Sequence, residues 1–80
     1  MLTFEELNKK PFFELVQELL NFPNQAVECN YFICQNIHFT AQKQKENVEA
    51  ILAKGIDPRK SKDCILAKKI IIEILIELNK

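Results

Sequence analysis

The sequence predicts an all-α domain: a small helical bundle built on a long antiparallel helical hairpin, with an N-terminal helix packed across it. Three observations lead there. The 80 residues include one Gly and three Pro, too few turn-formers for a fold of many short strands. Apolar residues make up 48% and recur at three- and four-residue spacing over long stretches. The one Gly, Gly55, stands inside a helix-stop pattern that divides two of those stretches. The length suits a single domain over residues 1–80. Such a composition excludes a disordered tail, a collagen-like repeat and a flexible linker.

The N-terminus reads as a helix start. Thr3 and Glu6 have the spacing of a capping box, and Leu2 and Leu7 that of a hydrophobic staple. Pro11 interrupts this first turn and opens a helix running to about Asn21. Phe12, Leu15, Val16, Leu19 and Leu20 form its apolar face, and Phe22-Pro23-Asn24 ends it.

Residues 24–54 contain neither Gly nor Pro. Ala26, Cys29, Ile33, Ile37, Ala41, Val48, Ile51 and Leu52 share one broad arc at about 100° per residue. The expectation is one long helix of roughly 46 Å, bent near 38–41, with Thr40 the only internal cap and a break there the alternative. Phe32 and Phe39, seven apart, would lie on its opposite side and need a cover.

Lys54-Gly55-Ile56 matches a Schellman stop, with Ile56 folding back on Ile51. Asp57 and Pro58 follow as N-cap and first helical residue of a last helix over 58–79. Its polar stripe, Lys69, Glu73, Glu77 and Lys80, is narrow. Ile72, Ile74, Ile76 and Leu78 also alternate with Glu73 and Glu77 as a strand would, but the stretch is long and lacks turn residues.

The net charge of zero hides an asymmetry. Residues 1–40 carry two Lys against five Glu; residues 41–80 carry nine basic and six acidic groups. The first twenty residues hold Glu5, Glu6, Glu14 and Glu18 and lack a signal peptide's apolar centre. No uncharged apolar run reaches the roughly 18 residues of a membrane span. Cys29, Cys34 and Cys64 are an odd count with no Cys-x-x-Cys, which suits a reducing, cytoplasmic compartment.

Chemistry is sparse. Cys34 and His38, four apart, would share a helix face and reach one ion, but Cys29 lies about 140° away and no full ligand set forms. A Cys34–His38 nucleophile lacks a third, orienting group, and the only Gly is spent on a helix stop rather than a phosphate loop. The carboxylate pairs Glu14/Glu18 and Glu73/Glu77 read as solvated faces. No enzyme activity, cofactor or metal is expected. A helix-turn-helix over residues 48–65 is disfavoured by Ile51 and Lys54, where that motif wants a small and an apolar residue.

Two interaction surfaces remain. The apolar one comprises Phe32, Phe39, Ile72, Leu75 and Ile76, because a helix with so narrow a polar stripe has apolar surface to spare. The charged one comprises Lys54, Arg59, Lys60 and Lys62, where two helix ends would meet at one corner and draw an anion. The expected function is non-catalytic protein–protein interaction by a small regulator or inhibitor that binds a larger target and self-associates as a homo-oligomer. The alternative is binding of nucleic acid or another anion through residues 54–69.

Overall fold

The computed structural model describes residues 2–80. The fold is mixed rather than all-α, although mostly helical: four helices and a two-stranded antiparallel sheet.

Helix α1 spans Phe4–Asn8, and the Thr3 hydroxyl oxygen accepts from the Glu6 N–H, as the capping pattern demands. Helix α2 spans Phe12–Leu20; Pro11, extended at ψ 147°, stands just outside it as N-cap. The α2 face of Leu15, Val16 and Leu19 is buried as its periodicity requires. Lys10 pairs with Glu18 at 3.0 Å and fixes the approach to α2.

The long helix over 24–54 is not formed. Its first third is a hairpin of β1, Val27–Cys29, and β2, Phe32–Cys34, paired with Cys29 opposite Phe32 and Val27 opposite Cys34. Val27, Cys29, Phe32 and Cys34 face inward, and Glu28 and Ile33 face out, the period-two pattern of a half-buried sheet. Asn30 and Tyr31 make the reversal with negative φ, since among the described residues only Gly55 has positive φ. The turn is therefore neither type I′ nor II′, and it needs no Gly.

Helix α3 starts later, at Ile37, and runs to Ala53. Its cap is Asn36, whose Oδ1 accepts from the Phe39 N–H at 2.8 Å, not Thr40. The molecule measures 36 Å along its longest axis, which a straight helix of roughly 46 Å would overrun.

The Schellman stop is present. Gly55 has φ 78°, its N–H donates to the Leu52 carbonyl, and the Ile56 N–H reaches back to the Ile51 carbonyl. The last helix, α4, spans Lys62–Leu78, and its N-cap is Ser61, not Asp57. Asp57-Pro58-Arg59-Lys60 instead forms a turn: the Lys60 N–H donates to the Asp57 carbonyl, and the Asp57 carboxylate accepts from the Arg59 N–H. Pro58 takes the second turn position, where its fixed φ is favourable.

Helix α4 is the centre of the molecule and touches α1, α2, α3 and β1. Ile71, Ile72, Ile74 and Leu75 join Leu7, Leu15, Val16, Leu19, Ile37 and both hairpin cysteines in the main core. A smaller cluster of Val48, Cys64 and Ala67 lies between α3 and the first half of α4, and Phe12 packs against both. The apolar surface that suggested self-association is thus largely covered by the chain's own elements. No helix among the described residues is long and apolar enough to cross a membrane.

Two substitutions test this arrangement. Gly55→Ala should cost about 1 kcal/mol in denaturant unfolding. A Cβ there meets nothing within 4 Å, so backbone conformation alone sets the penalty. A neutral result would place Gly55 outside the left-handed region. Ile72→Ala should cost about 2–5 kcal/mol, because Ile72 is wholly buried. A loss below that range would show that Ile72 faces solvent.

Candidate functional site

The expected apolar surface is not one surface. Ile72 and Leu75 are core residues and unavailable to a partner. Ile76 and Phe32 are half-buried against that core. Phe39, in the first turn of α3, is 66% exposed. Phe32 and Phe39 belong to different elements and share no helix face, because β2 replaces the helix that was to carry both.

The expected basic corner is also divided. Lys54, the C-cap of α3, lines a shallow hollow between α3 and α4 with Ile51, Asp63, Leu66 and Ile70. Arg59 lines a different hollow, on the side of α1 and α2. Its guanidinium holds the Asp57 carboxylate at 3.3 Å, and those hydrogen bonds keep Asp57 below the usual carboxylate range. Lys60 is exposed in the turn, and Lys62 opens α4.

Cys34 and His38 are directed elsewhere too. Cys34 lies in β2 rather than on a helix, and its Sγ is 3.1 Å from the Thr40 hydroxyl. His38 Nε2 is 2.6 Å from the Phe22 carbonyl oxygen, and the His38 backbone N–H donates to Asn24. This side chain ties the start of α3 to the end of α2. No group of three His, Cys, Asp or Glu with metal-binding geometry occurs among the described residues.

The hollow that contains Arg59 is a groove of about 490 Å³. Phe4 and Asn8 of α1 form one wall, with Phe12 of α2 beside them. Cys64 and Ile65 of α4 and Val48 of α3 complete an apolar floor over the smaller core cluster. Pro58 also lines it, and three cations, Arg59, Lys68 and Lys69, stand on the rim. The Phe13 ring packs edge-on against Phe12, with centroids 5.3 Å apart.

The local sequence explains why the groove exists. In the second half of α4 nearly every apolar side chain is covered, but in the first half only Cys64 and Ala67 are buried. Ile65 remains 56% exposed beside five-residue α1. Lys68 bridges the gap by donating its ammonium to the Asn8 carbonyl at 2.7 Å. Lys69 sits 6.0 Å from the centre of the Tyr31 ring, so the hairpin tip leans towards the same side of α4. Lys68 and Lys69 belong to the basic stretch 54–69, yet their convergence with Phe4 and Phe12 depends on tertiary packing that no local pattern shows.

Cys29 lies at the other end of α4, where Phe4, Asn30, Ile76, Glu73 and Glu77 frame a smaller hollow. Burial pushes its thiol up to about 11, helped by the nearby Glu77 and Glu73 carboxylates and by Cys34, and opposed by Lys80. The ordinary value for such a thiol is 9.0. The folded state therefore holds the proton more tightly, and stability falls as pH rises from 9.0 through about 11. Urea unfolding of the wild type minus that of Cys29→Ala should show this loss across the same interval. A difference independent of pH would mean the thiol titrates normally.

No family model, no curated protein and no solved structure matches this chain, so its reading rests on its own residues.

Proposed function

We propose that the chain is a non-catalytic protein-interaction domain that docks a larger protein in the groove between α1, α2 and α4, acting as a small regulator or inhibitor by occupying its target's surface. The observation that carries this reading is the open apolar floor beside Ile65, in a molecule that covers most other apolar side chains of α4. An exposed apolar patch rimmed by polar groups is a common mark of an interaction surface. Burying Phe4, Phe12 and Ile65 against a partner would supply the apolar anchor such interfaces use. Binding of nucleic acid or another anion through residues 54–69 draws less support. Lys54 and Arg59 serve separate hollows.

The test compares tagged wild type with Ile65→Glu and Phe39→Ser in affinity capture from cell lysate, read by quantitative mass spectrometry. Ile65→Glu should deplete the proteins captured by the wild type. Phe39→Ser, outside the groove, should retain them. Both residues are exposed, so thermal unfolding should register a change within about 0.5 kcal/mol. Equal capture by all three would remove the groove from the function.

A further inference from the structure

The groove is lined by cations, with the Asp57 carboxylate 3.3 Å from one of them, Arg59. Arg59, Lys68 and Lys69 line it, and no carboxylate does. The ion pairs among the described residues engage Arg59 but neither Lys68 nor Lys69. Lys68 gives one donor to the Asn8 carbonyl and keeps two, while Lys69 faces the Tyr31 ring and bonds no acid. Arg59 is 89% exposed and retains guanidinium donors beyond those given to Asp57.

Geometry adds a second element. Ile65 and Lys69 are one helical turn apart on α4, and Lys68 sits beside Lys69. A helix laid along α4 would meet an apolar position and then a cationic one within a turn. We propose that the groove takes an acidic amphipathic segment of a partner protein, its apolar side chains on the Phe4–Phe12–Ile65 floor and its carboxylates over Arg59, Lys68 and Lys69. This rests on the reading of the groove as a docking surface and specifies what docks there. The pattern is helix-in-groove recognition, with apolar anchors at i and i+4 and a charged flank that selects the partner. A nucleic-acid duplex would meet the cations but leave the apolar floor uncovered, so the protein segment accounts for more of the surface.

The test is a selection from a displayed library of random peptides of about 16 residues against the full chain. Recovered peptides should be enriched in Asp and Glu beside apolar residues spaced by four. For the best synthetic peptide, followed by fluorescence anisotropy, Arg59→Gln/Lys69→Gln should weaken binding about tenfold, as two lost surface ion pairs would. It should also reduce the salt dependence. Lys68 is left in place because it holds α1. Circular dichroism melts check that the double variant folds. As a second variant, Lys69→Glu should recover binding to a peptide whose facing Glu is changed to Lys.

Neutral or basic binders, no binders, or unchanged affinity in a folded double variant would each overturn the inference. So would binding of a 20-base-pair DNA duplex or of oleate without acidic peptide enrichment. Failure of the underlying reading looks different. Peptides without acidic bias that are lost on Ile65→Glu keep the docking groove and remove the acidic partner. Acidic peptides that bind Ile65→Glu as well as wild type remove both.

Discussion

The second half of α4 must be withdrawn from water over most of its circumference, and the rest of the structure answers that demand. At about 100° per residue, Ile71, Ile72, Ile74 and Leu75 occupy an arc of roughly 160°, which half-buried Ile70 and Ile76 widen to about 240°. One antiparallel neighbour cannot cover so wide an arc. Helices α1, α2 and α3 and strand β1 all pack against α4, so five secondary-structure elements share one apolar axis. The hairpin belongs to this solution. By reversing at Asn30-Tyr31 it sets Cys29 among the core side chains beside α4, which a rigid helix over residues 24–54 would not do.

Charge is laid out along the same helix against its dipole. Lys62, Lys68 and Lys69 lie in the N-terminal half, and Glu73 and Glu77 lie towards the C-terminus. Such placements near a helix end cost a few tenths of a kcal/mol each. Asp63 in the first turn and the Ser61 cap offset part of that at the start of the helix. The two charged regions act differently on their surroundings. The carboxylates add to burial in holding the proton on the Cys29 thiol, while the cations gather on the rim of the open groove.

The parts legible in the sequence are those whose cause is local. The Thr3 cap, the α2 face, the Gly55 stop and the apolar breadth of α4 follow from residue identity within one or two turns. The hairpin was hidden because its turn uses negative φ and so carries no Gly, the residue by which such turns are usually found. The run Val27-Glu28-Cys29 and Phe32-Ile33-Cys34 does alternate, but three-residue strands are too short to outweigh a helical arc spread over thirty residues. At Asp57-Pro58, turn and helix start use the same two residues, and Ser61, with its side chain on the Cys64 N–H, decides between them. Ile72 and Leu75 looked like spare apolar surface because the amount of cover available to α4 is a property of the whole chain.

That same amount of cover explains why the groove and the core have one origin. Seventeen-residue α4 is about 25 Å long, whereas α1 has five residues and the hairpin strands three each. The larger of the two core clusters gathers on its second half, where its apolar arc is widest. Towards its start the cover thins to Phe4, Phe12 and Val48, and Ile65 is left at the surface. The basic stretch of the sequence falls at this end, so the uncovered floor acquires a cationic rim without any separate structural device. Groove and core thus share one helix: the second half of α4 is buried by the chain's own elements, and its first half leaves Ile65 56% exposed beside Arg59, Lys68 and Lys69.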